Sequence, residues 1–222
     1  MSAAAEDVGR RLVAVRERIA AAGGDPARVR VVAVTKGQPP EVVAAAVEHG
    51  LVDLGESYAQ ELVHKAAALG EGVRWHFVGR LQRNKVKVAA PHVHLWQSID
   101  RQPLAAEVAR RAPGARVLVQ VNVAGAAQQG GCPPDDVPTL VAAAQELGLV
   151  VDGLMAIGPQ GPDGEVRAAF RVVRDLADRL GLPERSMGMS GDLEQAVAEG
   201  ATMVRVGTAL FGPRRQTGGV GK

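Results

Sequence analysis

The sequence predicts a single (β/α)8 barrel of the TIM-barrel class, preceded by one extra helix at the N-terminus. Three observations predict it. Eight short runs rich in Val, Ile and Leu are spread along the 222 residues. Segments with helical spacing of apolar residues alternate with them. Several of the runs are continuously apolar, as expected for strands covered on both faces. An open, doubly wound sheet is the alternative use of the same alternation.

The elements follow in order. From about Ala4 to Ala22, the residues Val8, Leu12, Val15 and Ile19 fall on one helical face, and Gly23-Gly24 stops the helix. The expected strands are Val31–Thr35, Val52–Gly55, Trp75–Gly79, Leu95–Ile99, Val117–Asn122, Val151–Ile157, Arg185–Met189 and Met203–Gly207. Between them the clearest helix carries Val166, Ala169, Phe170, Val173, Leu176, Ala177 and Leu180. Another, with Val137, Leu140, Val141, Ala144 and Leu147, is entered through prolines and acids, which suit a helix N-terminus. Glycines 50, 148, 181 and 200 punctuate helix ends. Only a short tail follows the last strand, so the N-terminal helix is expected to stand in for the eighth outer helix. The glycine-rich, charged end, about 213–222, is expected to be disordered. The whole chain, 1–222, reads as one domain.

Composition excludes several functions. No apolar run is long enough to span a bilayer, and the mixed-charge N-terminus lacks a signal-peptide core, so a cytoplasmic protein is expected. With 26 basic against 24 acidic residues and 3% aromatics, there is little to hold a nucleic acid. Arg80, Arg83, Lys85 and Lys87 form the one local basic stretch, read as a solvated helix face in preference to an RNA patch. The lone cysteine, Cys132, excludes an intrachain disulfide and a thiolate metal cage. His92 and His94 share a face but lack a third ligand for a metal. Trp75 and Trp96 are expected to pack in or around the barrel. A monomer is the default.

In a barrel of this kind, function gathers where strands end and loops begin. The first strand ends in Thr35-Lys36-Gly37. A lysine placed after a buried run loses hydration, which favours the neutral amine that attacks an aldehyde; a rim lysine that snorkels to water is the simpler reading. The segment Met187-Gly188-Met189-Ser190-Gly191-Asp192 joins strand seven to a helix, and Arg205-Val206-Gly207-Thr208 closes strand eight. Small residues and hydroxyls in these two loops make an anion cradle. Alternatively they are turn glycines and an N-cap serine.

The segments AVTKG, GESYAQEL, WHFVGRLQRNK and SMGMSGDLEQAVAEGATMVRVGTALFG resemble the pyridoxal phosphate homeostasis protein family, over about Val31 to Gly212. The fold is similar to the barrel domain of bacterial alanine racemase. The resemblance implies pyridoxal 5′-phosphate (PLP) as cofactor, held as a Schiff base on Lys36. It implies phosphate contacts at Ser190, Gly207 and Thr208, and Arg205 facing the pyridine nitrogen. It places His76 and Met187 at the pocket mouth, with His76 equally readable as a packed strand histidine. Ser57 stands where the family has asparagine near the cofactor ring. The loop from Ala124 to Gly131 lacks the family's serine and lysine.

An arginine at the ring nitrogen cannot accept a proton and keeps its charge, which weakens PLP as an electron sink. Racemisation also needs a base on each face of the substrate carbon. The lone tyrosine, Tyr58, is read as the first turn of a helix. The expected function is therefore PLP homeostasis, with apo-PLP enzymes as the implied recipients and no catalytic residue assigned. A PLP-dependent amino-acid racemase is the alternative.

Overall fold

A computed structural model describes residues 3–125 and 129–213. Eight parallel strands close on themselves in sequence order, β1 pairing with β2 and so on round to β8, which returns to β1. They are β1 (Arg30–Val34), β2 (Asp53–Glu56), β3 (Arg74–Phe77), β4 (Val93–Ile99), β5 (Arg116–Val121), β6 (Val150–Ala156), β7 (Glu184–Ser186) and β8 (Met203–Val206). All eight lie within a few residues of the sequence expectation.

The helices are α1 (Ala3–Ala21), α2 (Pro40–Glu48), α3 (Ala59–Leu69), α4 (Arg83–Ala89), α5 (Gln102–Arg111), α6 (Val137–Glu146), α7 (Asp163–Arg179), α8 (Leu193–Ala198) and α9 (Thr208–Phe211). The apolar stripe of α1 is fully used: Val8, Leu12, Val15 and Ile19 are all buried. Each such side chain contributes about 1.5–3 kcal/mol on leaving water. This stripe packs α1 against α2 on one side and α8 and α9 on the other, so it fills the outer ring where α9 is a single turn. The helix ends at Gly23, whose φ of 86° suits a glycine C-cap.

The core has two parts. The larger lies between sheet and helices and contains Trp75, Trp96, Phe170 and Met187. The smaller fills the barrel: Val32, Leu95, Leu118, Met155 and Met203. Because side chains alternate across a strand, these residues fix which parity points inward on β1, β4, β5, β6 and β8.

The seventh strand is shorter than expected, ending at Ser186 instead of Met189. Gly188 adopts φ 90° there, and a Cβ on it would lie 2.5 Å from that of Ala196. The chain leaves the extended conformation at that glycine to bring the following loop over α8. The tail from residue 214 and residues 126–128 of the loop after β5, Gln128 among them, lie outside the described residues.

Candidate functional site

The carboxyl ends of β1, β2, β3, β5 and β6 and the loops after them line a cavity of about 550 Å³; Ser190, Arg205, Gly207 and Thr208 are not among its lining residues. Lys36 and Ser57 line it, together with Tyr58, Arg80, Lys85 and Gln120. The turn after β1 explains Lys36: Thr35 directs its hydroxyl outward to Glu56, and the turn that follows carries Lys36 to the cavity wall. Gly79 explains Ser57. A Cβ on Gly79 would sit 2.4 Å from the Ser57 carbonyl oxygen, so only glycine lets the β2 and β3 loops meet at this rim.

The backbone on both sides of Lys36 is clamped by α3. Lys65 Nζ donates to the Thr35 carbonyl at 2.7 Å, to Glu56 Oε1 at 2.5 Å and to Glu61 Oε2 at 3.0 Å. The Gly37 N–H donates to Glu61 Oε2 at 2.8 Å, and the Thr35 hydroxyl donates to Glu56 Oε1 at 2.7 Å. Glu56 and Lys65 are almost wholly buried. Burial pushes the Glu56 carboxyl above its usual range, against the lowering effect of Lys65 and Thr35. Sequence reasoning passed over this trio. The signal was the i,i+4 spacing of Glu61 and Lys65, which places both on one helix face.

The last two loops also meet. The Ala209 N–H donates to Ser190 Oγ at 3.1 Å, and Arg18 Nη2 donates to the Ser190 carbonyl at 3.0 Å. Arg18 is held by Glu194 at 2.6 Å. The β1–β8 register pairs Ala33 with Val206, so Lys36 and Gly207-Thr208 lie just beyond neighbouring strand ends. A Cβ on Gly207 would come within 3.3 Å of the Val34 carbonyl oxygen. Thr208 is exposed and Ser190 half-buried.

Arg205 points into the barrel and is buried. Its Nη1 donates to the Ser186 carbonyl at 2.7 Å and to Ser186 Oγ at 2.8 Å, and its Nη2 donates to the Ala156 carbonyl at 2.7 Å. Three of the five guanidinium N–H groups are thus used by described residues, which leaves Nε–H and one Nη2–H. Burial lowers the Arg205 pKa to about 10, so the group stays charged at neutral pH.

Two residues expected at the mouth lie elsewhere. Met187 belongs to the core between sheet and helices. Its neighbour Ser186 takes the inward position, and alternation turns Met187 outward. His76 is inside the barrel, 1% exposed, with Nε2 2.9 Å from Asp53 Oδ1 and Nδ1 2.7 Å from Gln97 Nε2. Both ring nitrogens are therefore occupied within the protein. Of the basic stretch, Arg80 precedes α4 and lines the cavity with Lys85, whereas Arg83 and Lys87 are exposed.

Cys132 is buried. Its N–H donates to the Gln120 carbonyl at 2.9 Å and its carbonyl accepts from the Asn122 N–H at 2.8 Å, so the loop folds back on β5. Burial pushes its thiol up to about 11.

A barrel with a lysine at the end of its first strand and joined hydroxyl-bearing loops at its last two defines the class. Residues 11–215 match the family described as Alanine racemase, N-terminal domain. Within that class, the chain belongs to the pyridoxal phosphate homeostasis protein family. It is 43% identical to the Pseudomonas aeruginosa pyridoxal phosphate homeostasis protein, over 96% of this chain and 97% of that one. A solved structure of an unknown protein from Bifidobacterium adolescentis is 33% identical and superposes with a TM-score of 0.88, covering 95% of this chain and 97% of that one. PipY of Synechococcus elongatus PCC7942, solved with PLP bound, is 33% identical with a TM-score of 0.78, covering 89% of this chain and all of PipY.

Proposed function

We propose that this chain binds PLP at the barrel mouth and serves intracellular PLP homeostasis by holding the cofactor and handing it on, without substrate turnover of its own. When bound, PLP supplies an aldehyde that condenses reversibly with an amine. The donor set fits it. Lys36 offers the amine, from a backbone that α3 holds still. Ser190, Gly207 and Thr208 offer hydroxyl and backbone donors for the phosphate. Arg205 would offer its spare N–H groups to the ring. Ser57 and Tyr58 line the same cavity as Lys36 and would border the bound cofactor. The observation that carries the reading is the β1–β8 register, which sets Lys36 beside the loop that Ser190 joins.

Arg205 favours binding over catalysis. It carries a full charge and donates only, so a ring nitrogen facing it stays unprotonated. That weakens the electron withdrawal on which carbanion chemistry depends. Recipients of the released cofactor are apo-PLP enzymes. The racemase reading keeps one observation in its favour: Tyr58, 59% exposed, lines the same cavity as Lys36. The test has two arms. Loaded protein is mixed with an apo-PLP enzyme, and recovery of activity is compared with free PLP at matched concentration. The same protein is incubated with L- and D-alanine in deuterium oxide. Transfer faster than from free PLP, without Cα deuteration, is the expected outcome. Deuteration that turns over, is lost in Lys36→Ala and comes with interconversion of L- and D-alanine would favour the racemase reading instead.

A further inference from the structure

A chain of buried side chains runs from Arg205, inside the barrel on β8, to the N-terminal ends of β2 and β3. Ser186 Oγ accepts from Arg205 Nη1 at 2.8 Å and donates to Gln97 Oε1 at 2.7 Å. Gln97 Nε2 reaches His76 Nδ1 at 2.7 Å, and His76 Nε2 reaches Asp53 Oδ1 at 2.9 Å. Asp53 in turn accepts from Arg74, Nε to Oδ1 at 2.8 Å and Nη2 to Oδ2 at 2.6 Å. Four of these residues, Ser186, Gln97, His76 and Arg205, are at most 4% exposed. Sequence motifs did not single out Ser186, Gln97 or Asp53, and holding Lys36 does not require them.

The polarity of the chain is fixed by its ends. Arginine only donates and an ionised carboxylate only accepts. Every group between them must accept on the Arg205 side and donate on the Asp53 side. Ser186 and Gln97 comply. The second Gln97 amide hydrogen is taken by Met203 Sδ at 3.1 Å, which fixes the amide orientation further. His76 must then be neutral, with the proton on Nε2 and a lone pair on Nδ1. Its buried site, which favours the neutral ring, agrees. A protonated ring would turn an N–H toward the Gln97 amide and break the sequence.

Such a chain costs desolvation for each polar member and is kept only if fully satisfied. Its output is the placement of one guanidinium. We propose that Ser186, Gln97 and His76 are positioning residues that lock Arg205, in plane and in donor role, against the ring nitrogen of bound PLP. This rests on the PLP reading above.

The test compares PLP with an analogue in which a ring C–H replaces the pyridine nitrogen. Affinities of both are measured for wild type and for Ser186→Ala, with Gln97→Glu as the second variant should the first fail to fold. Gln97→Glu keeps the shape but cannot donate to His76. The expected result is PLP binding weakened about tenfold in either variant, the scale of one charged hydrogen bond, with the analogue changed less than about twofold. A general loss of packing would weaken both ligands alike, and that result overturns the proposal. So does unchanged PLP affinity. Nitrogen-15 NMR of the ligand-free wild type supplies an independent readout: His76 should be neutral with its proton on Nε2, and a proton on Nδ1 overturns the chain. Wild-type protein that takes up no PLP would instead overturn the binding reading beneath it.

Discussion

His76 illustrates how a single residue couples folding to pH. Burial, the largest influence, lowers its pKa in the fold, opposed by Asp53; Arg30 and Arg74 also lower it. In the unfolded chain it titrates near about 6.5. Below that pH the unfolded state binds a proton that the folded state refuses, so the folded state loses stability as pH falls. The slope approaches about 1.4 kcal/mol per pH unit between the two pKa values. Urea unfolding at pH 5 and pH 7 should show a smaller pH difference in His76→Gln than in wild type; an equal difference would remove His76 from the account. Cys132 makes a second prediction at this scale. With its thiol pushed up to about 11 and buried, it should react with a thiol reagent at pH 8 far more slowly than an unfolded control. Lys36 was legible in the sequence because it ends an apolar run. The facing of His76 and Met187 was not, since it depends on strand parity, and parity appears only once neighbours such as Ser186 and Met203 are placed.

At the scale of elements, α3 and the β1 end form one unit through Lys65. Removing Lys65 would leave Glu56 buried without its cation, and broken buried pairs cost about 3–5 kcal/mol. Lys65→Met should therefore lower the urea midpoint sharply, and the double variant Lys65→Met with Glu56→Leu should recover much of the loss. If the double variant is no better than the single one, the pair is not what holds this junction. The periodicities of α1 and α7 were fully legible, because an amphipathic stripe shows in spacing alone. The early end of β7 was not. Its five expected residues read as a strand, but the positive φ at Gly188 and the contact with Ala196 belong to tertiary packing.

Across the whole molecule, closure of the barrel brings the first strand beside the last and sets Lys36 beside the loops that carry Ser190 and Thr208. The same closure threads the Arg205–Asp53 chain through the interior, which no local pattern foretells. It also makes α1 part of the outer ring, with Arg18 tied to the Ser190 loop. Arg18→Ala should weaken PLP binding by a few-fold at unchanged Lys36 chemistry, measured by titration. The most direct test of the central claim is to load the protein with PLP, reduce it with borohydride and map the modified peptide by mass. The account predicts one reduced pyridoxyl phosphate group per chain, on Lys36, and none in Lys36→Ala. A group fixed on another lysine, or equal labelling of Lys36→Ala, would contradict it.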